Sequence, residues 1–429
     1  MTVIATQGIG LTRTSAPTPL GLRLQMLMLA VAVLAATYAR AAIGPLQEAM
    51  RGALALSDNQ MGLLQGPLQA VPVMVGAIAL GLLVDRYSRV RLLFIFAVFS
   101  MIGSFFTALA SNFPLLAAAR CLIGLTQTGV STAAFSLLAD FCTPERRGRG
   151  AMIVSVSQMG GNSAAFSLGG LLLAMTGPGP EGWRWTMFWM ASPLVPVMFL
   201  MLAMREPPRT GQVIKNLSTH EAWPELWRYR AVIAPLLAGV VMAEIAFGAV
   251  YVWAAPALSR SFGLPPQRVG AIMGIGMVLS GVLGPIVGGP LADLCQRTGG
   301  PRRTISVLSG LALLAVPAGL FAFVPGVALA CVLLVMFIVI VVATLVMGTA
   351  LFTVVIPNEL LGVCMGIMFA LDTFFGFVLA PVAVSLLSGA MGGPAMIGKA
   401  LALVGVGASV LGAAAFAFGR RYHSRKVVL

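Results

Sequence analysis

The chain has 429 residues, 59% hydrophobic and 9% charged, with 27 Lys and Arg against 13 Asp and Glu. Soluble domains carry about 25% charged residues, so this charge could not coat a water-soluble body, and disordered chains are rich in charge and poor in hydrophobes. A mean hydropathy of +0.97 makes lipid the main solvent, and the net charge of +14 reads as cations gathered in cytoplasmic loops rather than as a nucleic-acid surface.

Residues 1–21 are expected to form a polar cytoplasmic tail. The apolar run after Arg23, with small residues around Ala39–Ala42, imitates a cleavable signal peptide. The many spans that follow make an uncleaved first helix the better expectation. A helix needs about 20 apolar residues to cross the bilayer core. Runs of that kind lie near 22–46, 60–83, 91–110, 115–139, 150–174, 184–204, 231–256, 267–290, 304–324, 327–354, 363–388 and 397–418. They predict an all-α integral membrane protein with twelve transmembrane helices. The longest polar interruption, 205–230, holds Pro207, Pro208 and Pro224, then Trp223, Trp227 and Tyr229 between charges. Such rings favour the headgroup region. This segment is expected as a cytoplasmic linker between two six-helix bundles, 22–204 and 231–418, with a basic cytoplasmic tail at 419–429.

The halves echo each other. Gly81-Leu-Leu-Val-Asp85 ends the second span and Gly289-Pro-Leu-Ala-Asp293 the eighth, an offset of 208 residues, and arginines follow both. Two-fold repeats of this kind mark many secondary transporters. With the N-terminus inside, 20 of the 27 cations fall on the cytoplasmic side and five outside (Arg51, Arg184, Arg260, Arg268 and Lys399). The predicted setting is therefore a multi-pass inner (plasma) membrane with both termini cytoplasmic.

The string Gly81-xxx-Asp85-Arg86-xx-Arg89 resembles the signature loop of the major facilitator superfamily. A small glycine lets two helices approach, and the arginines can pair with acids across a half. With twelve spans, a central linker and the second copy at Gly289–Asp293, the resemblance covers nearly the whole chain. It implies two six-helix bundles and a gating role for Gly81, Asp85, Arg86, Arg89 and Asp293. The N-half further resembles bacterial spinster-like transporters through Leu56-Ser-Asp-Asn-Gln-Met-Gly-Leu-Leu64, Asp85-Arg-Tyr-Ser-Arg89, Pro144-Glu-Arg-Arg-Gly-Arg149, Gly182-Trp-Arg-Trp185 and Arg205-Glu-Pro-Pro-Arg209. That pattern places an Asp-Arg pair in the first span and an Arg followed seven residues later by Glu in the fourth. Here these positions read Ala39-Arg40 and Arg120…Gln127. Both arginines are kept and both acids, which the family links to proton coupling, are missing.

A charge at mid-bilayer costs at least about 2.5–3.5 kcal/mol and marks a pathway or a partner. Four stand out: Arg40, Arg120, Glu244 and Asp372. Arg120 heads a polar stripe through Gly124, Gln127 and Ser131 and reads either as a cavity-lining cation for an anionic substrate or as a lock between helices. Arg40 is either its companion or snorkels to the outer interface, and Glu48 nearby could pair with Arg51 or Arg40. Glu244, near mid-span with Gly248 and Tyr251 on its face, and Asp372, followed by Thr373 and Gly376, are candidates for proton coupling. They are equally candidates for permanent partners of the arginines. Tyr38, Gln158, Asn162 and Tyr251 join Arg40, Arg120 and Gln127 as candidate substrate contacts, although interhelical hydrogen bonding also explains polar residues such as Gln158 and Asn162. Met365, Met368, Phe369 and Phe375 could line an amphiphile pocket near Asp372. The glycines of the eighth span read as helix packing.

Five scattered cysteines and two histidines offer no metal or disulfide framework, and no P-loop, GxSxG or HExxH motif occurs. No enzyme activity, cofactor, metal or nucleic-acid partner is expected. The expected function is secondary active transport by alternating access of an organic anion or an anionic, lysolipid-like amphiphile, by a monomer in contact with membrane lipids. A multidrug/proton antiporter for cationic or neutral compounds is the alternative, and a non-transporting membrane receptor a remote one.

Overall fold

The structure, a computed structural model, describes residues 19–141, 147–177, 179, 181–207, 227, 230–356 and 358–426. The expected N-terminal tail up to residue 18 and most of the 205–230 linker lie outside the described residues. Every regular element among the described residues is helical.

The first crossing is α1 (Pro19–Ala41), followed by the short α2 (Gln47–Ala53). The second is bent, with α3 (Asp58–Gln65) running into α4 (Pro67–Arg86). Ser57 caps α3 in a reciprocal box with Gln60, which satisfies two of the backbone N–H groups that a helix start leaves open. Pro67 then begins a new helix at the position where a missing N–H costs nothing. Next come α5 (Arg89–Leu109), α6 (Phe113–Phe141), α7 (Arg147–Thr176), and α8 (Gly182–Ala191) continued by α9 (Leu194–Leu202).

In the second half, α10 (Arg230–Phe262) is followed by α11 (Pro266–Gly319), which contains two crossings. Gly300 breaks it, with φ +62°, a conformation that favours glycine, directly before Pro301. The eighth helix therefore runs on well past the expected 290. After α12 (Val327–Val355), the eleventh crossing consists of α13 (Asn358–Asp372), a π-helical turn at Thr373–Leu379, and α14 (Ala380–Ala390). The last crossing is α15 (Ile397–Lys426). Nine helical segments among the described residues are long and apolar enough to span a membrane, and 266–323 counts once among them.

Packing distinguishes the two ends of the molecule. One buried core draws on both halves, joining Leu46, Met61 and Phe166 to Trp253, Met273 and Val384. Two further cores are each confined to one half. One gathers Val84, Leu93, Leu137 and Met201; the other gathers Ala292, Ile305, Phe352 and Phe416. The shared core lies towards the end bearing α2 and α3, here the distal end. The separate cores lie towards the end where α1 begins and α15 finishes, the termini end. Ser163 Oγ on α7 donates to the Gly274 carbonyl on α11 at 2.8 Å, a direct bond between the halves. Glycines of the eighth crossing face neighbouring helices, Gly270 against Gly170 and Gly288 against Ala343, so they pack rather than bind.

A charged and aromatic cluster between the two bundles

The first crossing ends at Ala41, so the last carbonyls of α1 have no helical partner. Arg120, from the first third of the chain's fourth crossing, fills that need: its Nη2 donates to the Arg40 carbonyl at 2.5 Å. The cation also sits at the negative end of the α1 dipole, which favours it electrostatically. Arg120 is completely buried, and its Nε and Nη1 groups have no partner. It faces no open space in this conformation and ties the fourth crossing to the first. Arg184 does the same service for α5, donating to the carbonyls of Ala108 and Ala110 at 2.9 and 2.6 Å. That accounts locally for the Gly182–Trp185 motif.

Arg40 is the half-buried member of the pair. It does not reach for an interface. Its guanidinium carbon lies 4.6 Å from the Phe377 ring centroid and 5.9 Å from that of Tyr251, within range of cation–π attraction. Tyr251 in turn touches Phe377, Phe247 and Phe166, with centroids 5.9, 6.2 and 6.4 Å away. Its hydroxyl donates to Asn162 Oδ1 at 3.1 Å. The cluster thus ties α1 and α7 of one half to α10 and the π-turn of the other. The Tyr38 hydroxyl is buried without a partner. Gln127 makes only a long 3.5 Å bond to Ser131, one turn on, and Gln158, half-buried, lies one turn before Asn162 on α7. Phe369 is exposed while Met368 is buried, so the two do not share a lining.

Glu244 and Asp372 are both half-buried, and among the described residues neither has a cation within 4 Å. The permanent ion pair considered from sequence is therefore not formed among the described residues in this state. Asp372 Oδ1 is buried with no hydrogen-bond partner. What brings the two acids together is a glycine contact. Gly248 follows Glu244 by one turn, Gly376 follows Asp372 by one turn, and a methyl on Gly248 would run into the Gly376 carbonyl. A methyl on Gly376 would stand 2.6 Å from Glu244 Cγ. π-helical turns inside α-helices are rare and frequent at functional sites. Gly248→Val should therefore push the π-turn off α10, costing about 1–3 kcal/mol as overpacking does. A fall in melting midpoint with loss of transport is the expected readout, and an unchanged midpoint would refute the contact.

Two ion-pair networks flank the cluster. At the distal end Arg260 closes α10 onto the first half. It donates to both oxygens of Glu48 at 2.9 and 2.6 Å and to both of Asp58 at 2.8 Å, and it also reaches the Pro394 carbonyl. The guanidinium is thus held by two carboxylates and one backbone carbonyl. Arg51 stands 3.7 Å from Glu48 and 3.8 Å from Asp58. Glu48 therefore pairs with Arg51 as one sequence alternative had it, and with Arg260, which was not expected. Arg260→Ala would leave two carboxylates without their main partner. Distal-end labelling of a Gln267→Cys reporter in a cysteine-free background should then rise several-fold, with Arg260→Lys in between; equal labelling in all three would refute the latch.

At the termini end Arg89 pairs with Asp140 of α6 and Glu206, the latter at 2.8 Å. Burial raises the Glu206 carboxyl, but bonds from the Val90 amide, Arg89 and Ser88 outweigh it and bring it below its ordinary range. Arg86 and Asp293 are exposed, and the Asp85 side chain lies outside the described residues. A methyl on Gly81 or Gly289 would meet nothing within 4 Å. The close helix approach expected at these glycines is therefore not made in this conformation.

The family model of the Major Facilitator Superfamily matches residues 29–381. The chain belongs to the Major Facilitator Superfamily. It is thus a multi-pass membrane protein of a transporter superfamily, whose members move small molecules across membranes. An "MFS-type efflux pump" of Mycolicibacterium smegmatis is 27% identical over 297 residues, 67% of this chain and 66% of that protein. Human "Protein spinster homolog 1" is 29% identical over 254 residues, 53% of this chain and 46% of that protein. The matches thus span less than two-thirds of either relative. The crystal structure of a bacterial homolog to the human lysosomal transporter spinster, inward-facing and unoccupied, superposes with a TM-score of 0.78 at 20% identity, covering 94% of this chain and 96% of that one. At that identity the likeness shows the superfamily fold. Sequence reading assigned no role to Phe377, Phe247, Arg260, Asp140 or Glu206. Two of them carried a signal: Arg260 as one of few cations on the sparsely charged side, and Glu206 as part of the Arg205–Arg209 motif.

Proposed function

We propose that this superfamily member moves an organic anion, or an anionic amphiphile such as a lysolipid, by alternating access. In this reading it sits in the inner (plasma) membrane with both termini cytoplasmic and works as a monomer. The observation that carries the substrate class is the arrangement of Arg40. It is the half-buried cation between the bundles, its carbonyl is held by Arg120, and its guanidinium faces rings rather than a carboxylate. A cation held by π-faces retains its hydrogen-bond donors for an incoming anion. The conformation fits an inward-open state, since the distal end shares one core and the Arg260 latch while the termini end has two separate cores. Glu244 and Asp372 carry the coupling proton in place of the acids missing at Ala39 and Gln127; the four membrane charges sum to zero when ionised, and a monoanion entering with one proton keeps the site neutral.

Uptake into proteoliposomes of matched anionic and cationic amphiphiles tests the reading: anion uptake driven by an inward proton gradient is expected, and accumulation of the cation alone would overturn it. The antiporter alternative rests on a separate observation, the two half-buried carboxylates without a cation within 4 Å, and on the efflux pump among the relatives.

A further inference from the structure

Away from the central cluster, a cavity of about 700 Å³ opens at the distal end between the two halves. That is the size of an ordinary small-molecule site. Its walls are small and apolar, with Ala49 and Ala174 from the first half facing Ala255 and Val269 from the second. Such walls leave room for a bulky ring. Two polar groups stand out. Gln47 is 1% exposed; its Oε1 accepts from Gln65 at 2.5 Å, while its Nε2 has no partner among the described residues. A buried donor of that kind costs about 1–3 kcal/mol unless an acceptor meets it. Among the described residues Glu48 is the charged residue of the lining, and no Lys, Arg or His lines it. Its carboxylate has about four acceptor sites; Arg260 uses two, and Arg51 stands 3.7 Å from one oxygen.

From this juxtaposition we infer a second ligand site, for a lipophilic organic cation that also carries a hydrogen-bond acceptor. The cationic group sits against Glu48, the acceptor meets Gln47 Nε2, and the ring fills the small-residue wall. The central cluster offers arginines, so the two sites select opposite charge. Because the walls come from both bundles, an occupant holds the distal end shut. Such a ligand is an inhibitor that lowers maximal transport without competing for the central site.

The probe is N-ethyl lidocaine, a permanently charged amine with an aromatic ring and a carbonyl, added to the purified full chain. A saturable rise in melting midpoint is expected, with none from benzoate and less from uncharged acetanilide. Two variants fill the cavity: Ala174→Phe, and Gly52→Trp, where a side chain would meet nothing within 4 Å at its first carbon. Both should abolish the shift, whereas Arg40→Ala and Glu244→Gln should keep it, which separates this site from the central one. No shift, a shift that survives both filling variants, or an equal shift with benzoate would overturn the proposal. The readout needs no transport, so it stands or falls independently of the central substrate.

Discussion

Arg40→Ala abolishes gradient-driven uptake of the anionic substrate. Truncating one partner of a buried, hydrogen-bonded charge pair costs about 2–5 kcal/mol, which is roughly 30-fold to several thousand-fold in affinity. Arg40→Lys keeps the charge but loses the planar fork and much of the stacking on Phe377, so it recovers only part of the loss. Arg120→Ala has the same outcome by a different route. It leaves the Arg40 carbonyl uncapped at the end of α1 and lets the first crossing move, so binding falls because Arg40 is no longer held. The two variants separate in a thermal-melt assay. Arg120→Ala loses thermal stability as well as transport, whereas Arg40→Ala loses transport with little change in melting midpoint. Uptake of a cationic amphiphile is spared by Arg120→Ala if the antiporter reading holds. Anion uptake with unchanged KM and Vmax in both variants would eliminate the arginine-based site.

Glu244→Gln and Asp372→Asn should uncouple transport from the proton gradient while leaving passive exchange of substrate intact. One proton moving down one pH unit supplies about 1.4 kcal/mol, enough for about tenfold accumulation. The expected accumulation ratio in the uncoupled variants is therefore one at any imposed pH difference. The amides keep the shape of the acids, so the Gly248–Gly376 contact beside them persists and the loss is one of chemistry rather than folding. If both single variants still follow the gradient, the coupling proton is carried elsewhere.

Much of this architecture was legible beforehand because the cost of placing a residue in lipid is a property of that residue alone. Runs of apolar residues located the crossings, and the loop arginines implied an orientation. The polar stretch before Arg230 and the Gly81/Gly289 echo predicted two halves. Boundaries were less legible. The helix beyond 290 runs on until Gly300 takes a positive φ, and the eleventh crossing hides a π-turn whose sequence, Thr373–Leu379, is simply apolar. A close helix approach was expected at Gly81, yet it is Gly248, noted in the sequence only for sharing the Glu244 face, that meets a neighbour.

By itself, the sequence determined the membrane class, the transporter family and the four charges in the wrong solvent, since each follows from composition or from local pattern. The tertiary structure decided which of those charges meets open space and which is sealed: Arg120 became a cap on α1, and Arg40 a cation between rings. It also decided that Arg260 would close on Glu48 and Asp58, 212 and 202 residues away. Pairings of that kind depend on where two bundles place their helices relative to one another. That distance is a property of the folded pair of halves and of neither segment alone.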